Sequence, residues 1–172
     1  MIESPSRELR TAVVERLSDE AIGLNPYLAE AATEYEVDPF EIDFSDTSDN
    51  FYKSNINPRQ MPDITDFDFP ILCVYASKGE NTGSRAISAA FDGEVLVCVD
   101  VHLSWDGLAS LRDFESRLDA VEAALVSSLN IQLHPEGLAY TSYAFVRTPL
   151  SPAGSRWIAS ISLRITTQVT ES

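Results

Sequence analysis

Residues 94–105, EVLVCVDVHLSW, alternate with a period of two. Val95, Val97, Val99, Val101, Leu103 and Trp105 fall on one parity; Leu96, Cys98, Asp100, His102 and Ser104 fall on the other. A strand sends successive side chains to opposite faces, so this stretch reads as a strand with one greasy face and one polar face. The end of the chain repeats the pattern. Trp157, Ala159, Ile161, Leu163, Ile165 and Thr167 form an inner parity, and Ser160, Ser162, Arg164, Thr166 and Gln168 an outer one. A layer of this kind is covered on its apolar side and left open on the other, as antiparallel sheets commonly are.

The cover is legible as helices. Residues 5–21 read as a helix, with Pro5 in the first turn and Leu9, Val13 and Leu17 at i, i+4 spacing. GLNP at 23–26 breaks it, and Tyr27–Glu36 reads as a second, short helix closed before Asp38-Pro39. Leu108, Leu111, Phe114, Leu118, Val121, Leu125 and Leu129 step by three and four, an amphipathic helix laid on a sheet. Ser110 with Asp113 resembles a capping box for it, and Asp113, Glu115, Arg117, Asp119 and Glu122 lie off its apolar stripe.

Between the helical start and the strands, residues 37–68 hold no period of 2 or 3.6. Acids, Asn, Ser and Pro dominate. A loop of that length inside a compact domain is usually functional, and Phe40, Phe44, Phe51 and Tyr52 imply that something receives its aromatics. FPILCVYASKG at 69–79 reads as a strand, ENTGS at 80–84 as a polar turn, and Asp92-Gly93 as a hairpin turn. Residues 79–93 then form an exposed β-arm. Leu138–Thr148, a Pro/Gly turn at 149–155 and Arg156–Val169 make a closing hairpin. The expected architecture is a single α+β domain over 1–172: a helical region 1–36, an acidic irregular loop 37–68, and a sheet-plus-helix core 69–170. Its sheet is mainly antiparallel, of about four strands, with helices on one face.

Charge narrows the function. The net charge is −15, and residues 1–70 hold sixteen acids against five bases. Nucleic-acid binding draws its affinity from Lys and Arg on phosphates, and no basic stripe is present. No apolar run approaches the roughly 18 residues of a membrane span. MIESPSRELRTAVVERL has no apolar leader core, so the protein is expected to stay where it is made or to leave inside an assembly. Cys73 and Cys98 sit in apolar runs and read as buried reduced thiols.

Cys98, Asp100 and His102 share a strand face and form the one candidate reactive trio. Side chains at i and i+2 stand about 7 Å apart, too far for a nucleophile–base hydrogen bond. The other histidine, His134, lies in the QLHPEG loop, and two histidines with two lone cysteines make a poor zinc set. KGENTG at 78–83 lacks the lysine of a phosphate loop, and the acidic segment lacks the glycine and terminal glutamate of a calcium loop. No enzyme, cofactor or metal is expected. What the chain offers is surface: a polar outer face and a long final strand whose edge is a template for another chain.

Several passages resemble the tail-terminator and tail-completion proteins of long-tailed bacteriophages and their relatives at the head–tail connector. SRELRTAVVERL resembles their opening helix. FPILCVYASKGEN resembles the strand that leads into a polar hairpin, and VLVCVDVHLSW with DFESRLDAVEAALVSSL their central strand–helix pair. TPLSPAGSRWIASISLRITTQV resembles their closing hairpin. Together these span residues 6–20 and 69–170, about two thirds of the chain. The resemblance implies a non-enzymatic virion protein: a homo-oligomeric ring, often a hexamer, at the tail end or neck. Such a ring caps the tail tube protein, meets the head connector protein and lets DNA pass without specific binding. It would be assembled in the host cytoplasm, with no membrane involved. The residues expected at its oligomer or tube interface are Lys78, Glu80, Asn81, Arg85, Asp100, His102 and Arg164. A small cellular adaptor on the same sheet is the alternative, and an enzyme near Cys98, Asp100 and His102 the third reading.

Overall fold

The computed structural model describes residues 4–61, 68–81, 91–129 and 139–170. Its helices are α1 (Pro5–Leu17), α2 (Leu24–Glu34) and α3 (Phe114–Leu129), and its strands β1 (Phe51–Tyr52), β2 (Ile71–Asn81), β3 (Asp92–Trp105), β4 (Ala139–Ala153) and β5 (Arg156–Thr170). One sheet runs in the order β1-β2-β3-β5-β4. All neighbours are antiparallel except β1 and β2.

The alternation of β3 and β5 sets the core. Val95, Val97, Val99, Leu103, Leu163 and Ile165 are wholly buried and pair in register, Val99 with Leu163 and Val97 with Ile165. α1 packs on β2 and β3 through Leu9, Val13 and Leu17, and α3 packs on β5 through a stripe that includes Leu118, Val121, Leu125 and Leu129. α2 lies on α3, where Ala31, Ala32 and Ala120 keep the two backbones close. All three helices therefore cover one sheet face. No described helix is long and apolar enough to cross a membrane.

Local chemistry fixes the helix ends. Ser4 Oγ accepts from Arg7 N at 3.3 Å, and Pro5 occupies the first turn of α1. Arg16 Nε donates to Ser128 O at 2.7 Å, filling one of the open carbonyls at the end of α3. α2 closes with Glu36 at φ 56 and Val37 N on Ala32 O at 3.0 Å, a Schellman end with Val37 buried against the helices.

Several expectations need correcting. Among the described residues the sheet has five strands, because Phe51 and Tyr52, inside the acidic loop, pair in parallel with Leu72 and Cys73. Two residues are too few to show a period. Asp92 and Gly93 are no turn: they begin β3 and pair with Thr170 and Val169. The tip of the expected arm, 82–90, lies outside the described residues. The closing turn is shorter than 149–155. β4 continues to Ala153 past an irregularity between Thr148 and Ser151, and Gly154 (φ 61) takes the first central position of a two-residue turn. The Ser110–Asp113 box does not form. Residues Leu108–Asp113 are 3-10 helix, Ser110 Oγ donates to Gly107 O at 2.8 Å, and Asp113 instead accepts from Trp105 Nε1 at 3.0 Å.

The acidic segment is pinned at both halves. Asn25 clasps the backbone of Ile42, donating to its carbonyl and accepting from its amide, both at 2.8 Å. Phe40, Phe44 and Phe51 pack against the core, with the rings of Phe44 and Phe51 5.0 Å apart. Arg117 lies over the rings of Trp105 (5.2 Å) and Phe40 (5.7 Å), a cation–π contact that ties the segment to α3.

Candidate functional site

The outer face of the sheet was expected to be open along its length; it is open only in part. Cys98, Asp100 and His102 do point away from the helices. Yet Asp100 is 9% exposed and His102 7%, and Cys73, Ile71, Ile158 and Ser160 are buried beside them. The acidic segment is the cover. Cys73 Sγ donates to Ile56 O at 3.6 Å, Pro58 is buried, and Asn57 Oδ1 accepts from Arg59 N at 3.1 Å. Arg59 Nη2 then reaches across to Ile158 O at 2.7 Å and Pro149 O at 3.1 Å. Pro149 falls in the irregular stretch of β4, between the registered residues Thr148 and Ser151. The strap over this half is therefore buckled by a guanidinium on two carbonyls.

Under the strap the polar groups pair off. Tyr75 OH donates to Asp100 Oδ2 at 2.7 Å, and His102 Nδ1 stands 2.6 Å from Ser160 Oγ. Among the described residues, Asp100 Oδ1 and Arg59 Nε are buried without a hydrogen-bond partner. Burial, then the bonded Asp100, pushes the Tyr75 phenol far above its usual pKa. Burial raises the Cys73 thiol to about 11 and pushes Cys98 up as well, so both are thiols at neutral pH and poor nucleophiles. A serine beside an imidazole is a nucleophile–base pair in principle. Here Ser160 is 5% exposed, and Asp100 is engaged by Tyr75 rather than orienting His102. Among the described residues no group of three or more His, Cys, Asp or Glu is placed to hold a metal. The arrangement is a buried polar seam that locates the strap.

This seam makes stability depend on pH. Burial holds the His102 imidazole below its usual pKa; the nearby Asp100 opposes that shift and Arg59 adds to it. In the unfolded chain the imidazole takes a proton near about pH 6.5, and in the folded chain only at lower pH. The unfolded state therefore binds more protons in between, and the stability present above about pH 6.5 is lost as pH falls through that window. Asp19 and Asp43, held down chiefly by backbone amides, lose their contributions only below about pH 4. Thermal melts between pH 7 and pH 5 should show a falling midpoint for the wild type and a shallower fall for His102→Gln; parallel curves would refute the assignment.

The other half of the outer face is exposed. Lys78 and Glu80 form a surface pair at 2.8 Å, Arg164 is exposed, and Val146 is 38% exposed across the β4–β5 ladder. Tyr75 is only half buried. Asn81 pairs with Gly93 at the end of β2, and Arg85 lies outside the described residues, as does His134. Of the residues expected at an interface, the structure gathers Lys78, Glu80 and Arg164 on open sheet and buries Asp100 and His102.

Two charged features escaped the sequence reading. Arg147 on β4 reaches three carboxylates of α3: Glu115 at 3.2 Å, Asp119 at 2.7 Å and Glu122 at 2.7 Å. At the opposite edge, Arg7, Arg10 and Lys53 line one groove. The acids were visible as the polar side of α3, but nothing local to Arg147 announces its partners.

No family model matches the chain, and no curated protein sequence matches it. Among solved structures, a chain of the virion of a native gene transfer agent particle aligns with 97% of this chain and all of its own length. The identity is 12% and the TM-score 0.43, a likeness too low to assign fold or role.

Proposed function

We infer that this chain is a structural subunit of a phage-like particle, forming a homo-oligomeric ring at the end of the tail tube or in the neck and joining tail to head. The observation that carries the reading is the sheet itself: helices roof one face, half of the other face stays open, and β4 is a fifteen-residue edge strand with no outer partner among the described residues. The proline-free stretch Ser142–Thr148 of this edge is an aggregation hazard for a lone monomer. A ring, in which each copy meets the next through two different surfaces, removes it. The resemblance of the opening helix, the strand–helix pair and the closing hairpin to tail terminators supports the same assignment. The net charge of −15 suits a ring whose lumen lets DNA slide without gripping it. Light scattering and negative-stain microscopy of the purified chain, alone and mixed with tail tubes, provide the test. A ring-sized species or rings at tube ends are expected. A chain that stays monomeric in both settings would refute the reading and favour an adaptor.

A further inference from the structure

The two edges of the sheet differ in charge. At one, β1 covers only Leu72 and Cys73 of β2. From Val74 onward the outer side of β2 has no strand partner among the described residues. α1 stands over this edge, with Ser6 above Gly79 of β2. Beside it a groove of about 490 Å³ is lined by Arg7, Arg10, Thr11, Val14, Glu15 and Lys53. Among the described residues neither Arg7 nor Arg10 has an ion-pair partner, and Lys53 reaches only Asp46, at 3.7 Å. Uncommitted guanidiniums are notable on a chain with a net charge of −15.

At the other edge lies β4. Pro149 and Pro152 lack the backbone N–H that a ladder needs, which confines further pairing to the Ser142–Thr148 half. Above it stands the acidic side of α3, where Arg147 answers three carboxylates and leaves an excess of negative charge. α1 and α3 cover the same sheet face, and the pairing of successive strands makes β4 antiparallel to β2. If β4 of one copy is laid along β2 of the next, the sheet continues antiparallel. The α3 acids of the first copy then come against the Arg7/Arg10/Lys53 groove of the second.

We propose that the occupant of both edges is a second copy of this chain, docked head to tail: β4 zips to β2, and Glu115 and Asp119 enter the groove lined by Arg7 and Arg10. The proposal rests on the ring reading and names its contact surfaces. Backbone pairing supplies register, and the charge-assisted Arg–carboxylate bonds select which edge meets which. The contact is heterologous, so it propagates until the turn per copy closes a ring.

Two charge reversals test it, read by multi-angle light scattering with circular-dichroism melts as the check on folding. R7E/R10E and E115K/D119K are each expected to weaken self-association by about 100-fold, because like charges then face one another. An equimolar mixture of the two should restore assembly, since each reversed edge now finds its complement on the other protein. That rescue cannot come from misfolded chains. Variants that associate like the wild type, or a mixture that stays dissociated, would overturn the proposal and leave the ring reading standing. A wild type that never self-associates, alone or on tail tubes, would overturn both.

Discussion

Gly23→Ala is expected to destabilise the fold by about 3 kcal/mol. Gly23 is buried in the turn from α1 to α2, where its amide donates to Asp19 O at 2.9 Å. A methyl group there would fall against the carbonyl oxygens of Leu17 and Asp19 and the amide nitrogen of Asp19. All three are backbone atoms, so no rotamer change relieves the clash. The backbone at Gly23 has φ −83, open to any residue, so the penalty is steric and not conformational. The turn cannot simply widen, because Asp19 Oδ1 accepts from Ala21 N at 2.8 Å and Ile22 N at 3.0 Å. Opening it would also lift Leu17 and Leu24, both fully buried. Urea unfolding should show a lower midpoint with an unchanged slope. A midpoint equal to the wild type would mean that the turn has room for a methyl group at this position.

The sequence makes some of this geometry plain and hides the rest, for physical reasons. Side chains on a period of two or 3.6 report a face that must be buried. Val95–Trp105, Trp157–Thr167 and the α3 stripe were therefore readable, and so was the placement of helices on one face. Asp92-Gly93 misled because a favoured turn pair only permits a turn, and here the ladder with β5 claims both residues. β1 is two residues long and held by a partner about twenty positions away, so nothing periodic marks it. The strap is harder still. Arg59 binds carbonyls 90 and 99 residues further on, and a carbonyl belongs to every residue type. Phe40, Phe44 and Phe51 did signal that the acidic segment had somewhere to go. They could not signal that its second half crosses to the opposite face and covers Cys73 and His102. Arg164 lies on open sheet as its outer parity implies, and Lys78 and Glu80, read as a strand end and a polar turn, lie there because β2 runs on to Asn81. Asp100 and His102 obey the same parity and are buried, because parity gives the face a side chain points to and not what lies on that face.

Leu163→Ala is expected to cost about 2–5 kcal/mol, the range for truncating a wholly buried leucine. Leu163 sits mid-strand on β5, registered between Val99 on β3 and Phe145 on β4, and it is fully buried under the helices. The cavity left behind is bounded by paired strands on both sides, which restricts collapse, so the upper part of the range is expected. Leu96 provides the contrast. It lies on β3 between Lys78 and Thr166, on the open half of the opposite face, and is only partly buried. Leu96→Ser should cost less than about 1 kcal/mol, as surface substitutions do. The pair of measurements tests the two-sidedness of the sheet directly. A large loss at Leu163 with a small loss at Leu96 means that the helix-covered face carries most of the folding energy and the open half of the other face is free for contact. Equal losses would mean that both faces are packed within the monomer, and a sheet packed on both faces has only its edges left with which to join a neighbour.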